Sequence, residues 1–595
     1  MPRKQILAVL AFVLLLRLPF LNQAIQGDDY YYLAAAQHVQ LDPLHPHHAR
    51  YVFLGELIDM RGHPHPPGNA WILAALLAVI GAIREPPFHG VYIAFSLIAA
   101  LSTLWLARRF VPRRALEATL LFCAVPAFVV NGASLEADLP LLAFWLLSVV
   151  LVMKTSEDVR YAIPASLSMA ICALMAYQSV LLIPLLAFWL WREKRLRLWP
   201  LLLVPALTLA GYQIFERLSS GDLPAQVLAG HFQTYGLQRL EMKLKNAIAL
   251  SGHLLVMLSP FAVWALLRRR QAFLTYWVVL FFAAALVLFF AGSARYLLPL
   301  AAPLAILLAL HYEDRPLVLA AAFLWSLSIG LGLAWVNDQH WDAYRTAIHD
   351  ARLPLPDGSA RRLWVNGEWG LRYYAEAAGA IPILRGQTLR PGDMLITSEL
   401  MSAVPFTTGG GVRVEQSSTL ITPTLPLRLI GLGSRSAYSS VGFGLWPFDI
   451  TSAPVDRISI STIIERKATL SWLEMSSAAI DPQIVSGVYE VEDGQWRWAS
   501  PRAVLLLKPP STPTPIRVNL YLPEPAPGRQ VRIELNGAVI DRRTLAGPGM
   551  NEILTAPQSV STETATLTIS IDRGFTPPGD SRNLGFILTG AGFRP

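Results

Sequence analysis

The stretch Gly27-Asp28-Asp29-Tyr30-Tyr31-Tyr32-Leu33-Ala34-Ala35-Ala36-Gln37-His38-Val39 follows the first apolar segment, and the membrane half of the chain is organised around it. Tyr32 and Ala35 share one side at helical spacing, so the stretch predicts a short amphipathic helix on a membrane surface. Asp28 and Asp29 stand where the first segment emerges into water. Two interpretations are open: a carboxylate that takes a proton from an acceptor, or an N-cap that accepts backbone N–H bonds.

The composition is that of a polytopic membrane protein with a soluble tail. Of 595 residues, 53% are hydrophobic and 15% are charged, whereas soluble domains carry about a quarter charged residues. The apolar excess lies before residue 336. The formal net charge is +8, and Lys and Arg in short loops favour positive-inside topology over nucleic-acid binding. Cys123 and Cys172 both fall inside apolar segments, which argues against a disulfide framework or a Cys-based metal site.

The charge pattern predicts the orientation of the spans. The first segment, Ile6–Leu21, is interpreted as a retained anchor with its N-terminus in the cytoplasm. The basic clusters should all be cytoplasmic: Arg108–Arg114, Lys154–Arg160, Trp191–Arg197 and Arg268–Arg270. This requires a net single crossing over Ala70–Ala107. Its first part, Asn69–Ile83, would be about 22 Å long as a helix, short of the ~30 Å hydrocarbon core, so we expect it to be re-entrant or interfacial. The total is then about eleven crossings, with the tail outside.

With this topology the polar clusters all fall on the outer face. They are Gly27–Asp29, His63–Gly68, Ser134–Asp138, Tyr177-Gln178, Glu216–Lys245 and Gly292–Tyr296. Such a site faces away from ATP and sugar nucleotides, so a lipid-linked donor fits better. Glu136 and Asp138 either line a cavity with Asp28 or form a polar turn. Arg295 either contacts a phosphate or snorkels to the interface.

The first outer loop, residues 22–68, is rich in histidine. A divalent metal at His45-Pro46-His47-His48, with Glu56 or Asp59, is one interpretation. The interrupting proline and the missing i, i+4 pairing favour solvated or phosphate-facing histidines instead. Pro66-Pro67 also fits a simple helix start.

Several motifs resemble the GT-C glycosyltransferases that use polyprenyl-phosphate sugars. The closest groups are the protein O-mannosyltransferases and the bacterial aminoarabinose transferases that modify lipid A. The matching motifs are Asp28-Asp29, His65-Pro66-Pro67, Glu136-Ala137-Asp138-Leu139-Pro140, Arg295-Tyr296-Leu297-Leu298-Pro299 and the tail segment Gly367–Tyr374. The resemblance covers roughly residues 1–375. Aminoarabinose transferases carry Lys in place of His65, and a Lys is often found in place of Gln178.

The resemblance implies an inverting transfer in which Asp28, with Asp29 beside it, acts on an acceptor hydroxyl or phosphate as a base. The leaving lipid phosphate would be bound by His65, Arg61, Arg295 and Tyr296. Glu136, Asp138, Gln178 and His63 would line the cavity or contact the acceptor. For Gln178 a simple turn is the alternative. No metal is assigned to this site and no cofactor is certain.

The tail predicts two further units. Strands at Arg362–Asn366, Ile381–Leu384 and Met394–Thr397, with a helix at Glu368–Ala377, indicate an α/β unit without a nucleotide motif. From Gly487 the pattern is all-β and predicts a β-sandwich that resembles carbohydrate-binding jelly rolls; sugar binding and a rigid appendage are both open. Trp496 and Trp498 alternate on one face, as stacking residues or as core. The predicted domains are 1–336, 337–485 and 486–595.

The resulting hypothesis is a multi-pass enzyme of the cytoplasmic membrane that moves a sugar from a polyprenyl phosphate to a glycan, lipid or protein acceptor outside. A lipid-linked-sugar flippase is the first alternative, but it would carry charged or broken helices near mid-membrane and often internal repeats. The sequence shows no repeat, and its ionisable residues lie at span ends. A non-catalytic envelope assembly protein, the second alternative, would tolerate loss of both Asp28 and Asp29.

Overall fold

The computed structural model describes the chain except for residues 1–2, 235–238, 258–259, 269–270, 352–361, 402, 466–467, 525–527, 578–579, 581 and 595. Helices dominate as far as residue 350 and strands dominate beyond it. The helices are α1 Arg3–Arg17, α2 Asp29–Val39, α3 Gly68–Ile80, α4 Glu85–Phe110, α5 Ala115–Cys123, α6 Pro126–Val130, α7 Asp138–Thr155, α8 Ala162–Met175, α9 Leu182–Arg192, α10 Leu203–Ser220, α11 Pro224–Thr234, α12 Leu240–Met257, α13 Pro260–Leu267, α14 Ala272–Leu288, α15 Leu298–His311, α16 Pro316–Asp350 and α17 Trp369–Ala377.

The apolar helices form the membrane bundle. Within the described residues, 5 helical segments are long and apolar enough to cross a membrane, or up to 7 if each of two bent pairs counts as one span. The bent pairs are α5 with α6 and α12 with α13. Shorter apolar helices pack beside them around a continuous core that includes Trp145 and Trp277. The predicted polytopic α-helical fold is confirmed. The count of about eleven crossings stays a prediction, because several of its helices are shorter than the ~20 residues of an upright span.

The two flanks of helix α3 meet the same end of the bundle, and its re-entrant or interfacial placement stays a prediction. At its start, Asn69 Nδ2 donates to the Leu135 carbonyl at 2.8 Å. Just beyond its end, Glu85 pairs with Arg345 at 3.3 Å, and Arg345 also donates to the carbonyl of Asn22. Both flanks therefore meet residues at the end of the bundle that carries Asp28.

The basic clusters lie at the opposite end. Helix α7 runs from Asp138 to Thr155, and near its far end Glu157 pairs with Arg109. Arg114 donates to the Glu313 carbonyl at 2.9 Å, beyond the end of α15. The bundle thus separates an acidic, polar end from a basic end, and the prediction that the basic end is cytoplasmic rests on the positive-inside rule. Arg269 and Arg270 of the fourth cluster lie outside the described residues.

The strands build the tail and a small hairpin in the first outer loop. The strands are β1 Arg50–Phe53, β2 Glu56–Asp59, β3 Leu363–Asn366, β4 Ile381–Pro382, β5 Gln387–Thr388, β6 Met394–Ser398, β7 Phe406–Thr407, β8 Gly411–Ile421, β9 Leu427–Arg428, β10 Asp449–Ile450, β11 Asp456–Glu465, β12 Trp472–Glu474, β13 Ile484–Glu492, β14 Trp496–Leu507, β15 Thr514–Leu522, β16 Arg529–Leu535, β17 Ala538–Leu545, β18 Gly549–Gln558, β19 Ala565–Ile571 and β20 Phe586–Phe593. Strands β1 and β2 pair antiparallel.

The predicted α/β unit is present. Its sheet has the order β4-β3-β6-β11-β8, with β3 parallel to β4 and β6 and β11 antiparallel to β6 and β8. Trp341 and Tyr344 of α16 share a core with Leu371 of α17 and with Val365 of β3. This core ties the unit directly to the last membrane helix.

The predicted β-sandwich is also present, with its own core. Strand β14 joins its two halves, pairing with β20 through Arg497–Ala499 and with β19 through Arg502–Leu507. The core between the halves includes Phe586 and Leu505. The face shared by Trp496 and Trp498 is the partly exposed one, while Arg497 and Ala499 between and beside them are buried. The two tryptophans are therefore not core residues.

Both predicted domain boundaries differ from the structure. Helix α16 continues through residue 336 to Asp350. At 1.5 Å per residue it is about 52 Å long, so its polar last turns extend beyond the hydrocarbon core and change the composition before the helix ends. The sandwich also begins earlier than residue 486, because β12 pairs with β20 and β13 with β14.

Candidate active site

Asp28 directs its side chain away from the helix that it precedes. It occupies the N-cap position of α2, yet its carboxylate makes no capping hydrogen bond. Instead, Arg295 Nη2 donates to Asp28 Oδ2 at 3.0 Å, across 267 residues of sequence. Gly27 before it has a φ of +43°, and a Cβ there would meet Glu136 at 3.2 Å, so glycine suits this tight turn. The N-cap interpretation therefore does not describe Asp28.

Asp29 is a buried anchor. Its exposed fraction is 0%, and its carboxylate accepts from Leu135 N at 2.7 Å, Ser134 Oγ at 3.0 Å and Gln26 N at 3.3 Å. Burial raises the pKa of Asp29 to about 7. Because both oxygens are engaged with protein donors, Asp29 fixes α2 against the loop before α7. It does not face a substrate.

The Arg295 guanidinium pairs with three carboxylates. Besides Asp28, its guanidinium lies 2.9 Å from Glu136 Oε2 and 3.5 Å from Asp138 Oδ2. Its side chain is 18% exposed, and those of Glu136 and Asp138 are each 5% exposed. Arg295 thus points into the protein and does not snorkel, and the two acids do line one site with Asp28. Tyr296 lies beside it, with the guanidinium 5.7 Å from the ring centroid.

Three aromatic rings cover one side of this charged group. Tyr32 of α2 stacks edge-on against His63 at 4.8 Å and against His65 at 5.9 Å. His65 Nδ1 lies 3.1 Å from the Met175 carbonyl at the end of α8. Burial lowers the pKa of His63 and of His65 below the usual value. At neutral pH these imidazoles are hydrogen-bonding groups without charge, and the positive charge comes from Arg295.

One of the predicted phosphate-binding residues, Arg61, forms its ion pairs with acids outside this group, and a predicted cavity residue, Gln178, lies in a turn. Arg61 is paired with Asp59 at 2.6 Å and with Asp222 at 2.8 Å, beside a surface cavity of about 230 Å³ that is also lined by His48 and Arg50. Gln178 lies in a 3-10 turn over Tyr177–Leu181, so the turn interpretation describes its backbone.

The acids predicted for an outer-loop metal are engaged elsewhere. Glu56 pairs with Arg385 at 2.9 Å, and Asp59 pairs with Arg61. Asp42 takes their place near the histidines: Asp42, His45 and His48 each offer a ligand atom, and these atoms lie within 4.8 Å of one another. The sequence did not single out Asp42, which precedes the histidines in a turn.

The tail supplies residues that the sequence did not assign to the site. Tyr31 donates to Glu368 Oε2 at 2.8 Å, and the Tyr374 hydroxyl accepts from Ile25 N at 2.8 Å. The Tyr438 carbonyl accepts from Ser293 Oγ at 2.9 Å, next to Arg295. The sequence signal was the Gly367–Tyr374 motif, which matched a family pattern but gave no role.

Two cavities are relevant to ligand entry. A cavity of about 40 Å³ opens beside Gly27, Glu136, Arg295 and Tyr438, at the charged group itself. A cavity of about 400 Å³ lies where the α/β unit meets the β-sandwich, lined by Phe406 and Arg497 among others. The first is lined by the charged residues Glu136 and Arg295, whereas Arg295 is not among the residues that line the second.

Comparisons with known proteins show which proteins this chain resembles. Residues 64–213 match the family model described as dolichyl-phosphate-mannose-protein mannosyltransferase. The match spans His65-Pro66-Pro67 and Glu136–Pro140, and it confirms the predicted resemblance and the prediction of a membrane glycosyltransferase.

Solved structures were also compared. ArnT from Cupriavidus metallidurans bound to undecaprenyl phosphate is 12% identical, with a TM-score of 0.47, over 67% of this chain and 94% of that one. Its apo form is 11% identical, with a TM-score of 0.45, over 76% and 97%. The arabinofuranosyltransferase AftD from Mycobacteria is 12% identical, with a TM-score of 0.38, over 99% of this chain and 61% of AftD. No curated protein sequence matches.

Proposed function

We propose that this membrane glycosyltransferase moves a sugar from a polyprenyl-phosphate donor to a hydroxyl or phosphate of a glycan, lipid or protein acceptor, with inversion at the anomeric carbon. Asp28 is the base and Arg295 binds the leaving phosphate. The observation that carries the proposal is the 3.0 Å pair between Asp28 and Arg295 at the non-basic end of the bundle. One residue is suited to take a proton, and the other to hold the anion formed in the same step.

Asp28 is the better of the two adjacent acids for proton transfer. Its side chain is 38% exposed, whereas Asp29 is fully buried with both oxygens occupied. In the proposed step the acceptor O–H gives its proton to Asp28, the acceptor oxygen bonds to the anomeric carbon, and the bond from that carbon to the phosphate oxygen breaks. A positioned base contributes about two to four powers of ten in rate.

Arg295 stabilises the negative charge that develops on the leaving phosphate. Guanidinium groups bind phosphate oxygens in a bidentate fashion, and a preorganised cation lowers the barrier where charge forms. An arriving phosphate competes with Asp28 for this guanidinium, so donor binding frees the base. Tyr296 and the uncharged His65 are placed to add hydrogen bonds. Glu136 and Asp138 hold Arg295 in position until then.

The arrangement favours a site on the outer face of the cytoplasmic membrane. Helix α7 carries Asp138 at the site and reaches the basic cluster around Lys154 at its other end. Basic loops stay in the cytoplasm, which puts the site, the tail and the acceptor outside and the N-terminus of α1 inside. A polyprenyl-linked sugar can reach such a site from the bilayer.

The test is transfer by purified protein offered a panel of polyprenyl-phosphate sugars, read as release of lipid phosphate. Asp28→Asn should lower release by about two to four powers of ten while the variant still folds and binds lipid phosphate. Asp350→Asn, at the exposed end of α16, is the matched control and should keep parental activity. Near-normal release by Asp28→Asn would remove Asp28 from this role, and no release by the parent across a broad panel would favour a flippase or assembly protein.

A further inference from the structure

A second cluster of titratable residues lies at the far end of the first outer loop. The turn Asp42-Pro43-Leu44-His45-Pro46-His47-His48 follows α2, and Glu216 faces it from α10. His45 Nδ1 is 3.0 Å from Asp42 Oδ2, and His48 Nε2 is 2.7 Å from Glu216 Oε2. None of these four residues belongs to the group around Arg295.

The histidines of this turn lie on two different sides of it. The rings of His45 and His48 stack at 4.3 Å with an interplanar angle of 17°, and Phe215 stacks on the outer side of His45 at 5.2 Å. His47 is buried and turns the other way, toward His63 at 5.9 Å. The spacing Asp-x-x-His-x-x-His therefore gathers Asp42, His45 and His48 on the side that Glu216 approaches.

The charge balance of this cluster favours a cation. Glu216 has a side chain only 1% exposed, and a buried carboxylate is costly unless it is paired. His45 Nε2 is buried without a hydrogen-bond partner in the described structure. The carboxylates of Asp42 and Glu216 together carry two negative charges, which one divalent cation would neutralise.

We propose that Asp42, His45, His48 and Glu216 bind one divalent transition-metal ion, with zinc as the best match. Two imidazole nitrogens and two carboxylate oxygens form a tetrahedral set of the kind that zinc accepts. Zinc–ligand distances of about 2.0–2.2 Å place neighbouring ligand atoms about 3.4 Å apart. The ligand atoms of Asp42, His45 and His48 lie within 4.8 Å of one another, and Glu216 Oε2 lies 2.7 Å from His48 Nε2, so side-chain rotations would complete the set.

The ion would fasten the first outer loop to the outer end of α10. Four protein ligands fill its coordination sphere, which is the pattern of a structural zinc site and not of a catalytic one. Through the same turn it would hold His47 against His63, which in turn contacts Tyr32 beside the catalytic group. The site is thus structural, and its metal content can be measured without any sugar donor.

The test is metal content and affinity of the full-length, tag-free protein in detergent. Purified with zinc and then desalted, the parent should hold about one zinc ion per chain, and added zinc should raise its unfolding temperature after chelation. The double variant His45→Ala/His48→Ala should bind zinc at least about a hundredfold more weakly, since ligand and partner changes cost 10–100-fold each. His349→Ala removes an exposed histidine that pairs only with Asp350 in the described structure, and should bind as the parent does.

A milder variant keeps the proposal open to refutation if the double variant does not fold. Asp42 is 40% exposed, so Asp42→Asn should preserve the fold and still weaken zinc binding by about tenfold or more. A parent that holds no zinc, or equal zinc affinity in the parent and Asp42→Asn, would overturn the proposal. Transfer activity is not part of this readout, so failure here is separate from failure of the proposed glycosyl transfer.

Discussion

The two units of the tail differ in how far they enter the site. Two residues of the α/β unit, Glu368 and Tyr374, contact the first outer loop. A third, Tyr438, contacts the turn before Arg295. The β-sandwich is closed around its own core and meets the neighbouring unit through surface pairs such as Arg385 with Glu490. Position in the chain therefore does not decide which part of the tail is involved in the proposed site, because the α/β unit contacts the residues around it and the sandwich does not in the described structure.

The buried contacts of α17 explain why the α/β unit matters to α2. Glu368 accepts from the Tyr31 hydroxyl and from Leu54 N, both at 2.8 Å. Arg372 is only 2% exposed, pairs with Glu368 at 3.1 Å and donates to the carbonyl of Val52. Both the helix that follows Asp28 and the hairpin of the outer loop are therefore held by one ion pair. Breaking a buried pair by removing one partner costs about 3–5 kcal/mol.

The largest expected effect in this comparison is that of Glu368→Gln. The variant leaves Arg372 with a single carboxylate partner, Glu376, and should lower stability by up to about 3–5 kcal/mol. Transfer should fall at least about tenfold, because a catalytic group moved by about 1 Å costs that much or more. Activity per folded molecule and the unfolding temperature, measured on the same samples, check both effects.

The matched control is Glu490→Gln in the sandwich. Glu490 pairs with Arg385 at 2.9 Å and its side chain is 28% exposed, so its loss should cost at most about 1 kcal/mol and leave transfer unchanged. Equal losses of activity in the two variants would contradict the distinction between the units.

A smaller effect is expected from Tyr374→Phe. The Tyr374 hydroxyl accepts from Ile25 N and donates to Glu85 at 2.7 Å, so the change leaves the buried Ile25 N–H without its partner. An unsatisfied buried donor costs about 1–3 kcal/mol, and we expect a several-fold loss of transfer. Tyr521→Phe, on β15 of the sandwich, should leave transfer at the parental rate. A larger loss of transfer activity in Tyr521→Phe than in Tyr374→Phe would show that the sandwich, and not the α/β unit, supports the site.

The other anchor of α2, Asp29, predicts a pH effect of defined sign. Its folded pKa of about 7 lies above the usual value, so the folded state binds the proton more tightly than the unfolded state does. The destabilisation by Asp29 is absent below about pH 4, accumulates as pH rises toward about 7, and is constant above that. Between about pH 5.5 and 7.5 the unfolding temperature should therefore fall more in the parent than in Asp29→Asn. Parallel profiles would show that Asp29 does not titrate in this window.

The sequence predicted the central group because each member lies at the end of an apolar run. Asp28, Glu136, Asp138 and Arg295 are brought together by helices whose ends meet at one membrane face. It did not predict Glu368, which reaches Tyr31 across 337 residues, since only tertiary packing decides which helix a tail segment contacts. Arg61, also predicted to bind phosphate, pairs with Asp59 two residues away. Composition also placed a boundary at residue 336 inside a continuous helix.

The smallest effect on donor turnover is expected from Trp496→Ala/Trp498→Ala. Both side chains lie on the partly exposed face of β14, and Trp498 contacts Phe575 edge-on at 6.0 Å, so their loss should leave the sandwich core intact. Release of lipid phosphate should stay within about twofold of the parent, since neither residue reaches α2.

The informative measurement is the KM for a polymeric glycan acceptor. An increase of several-fold at unchanged kcat would make this face an acceptor-binding surface, since an aromatic face can stack on a ligand ring at about 1 kcal/mol per contact. An unchanged KM would indicate that this face does not bind the acceptor. A loss of kcat would show that the sandwich contributes to catalysis and would contradict the distinction between the two units.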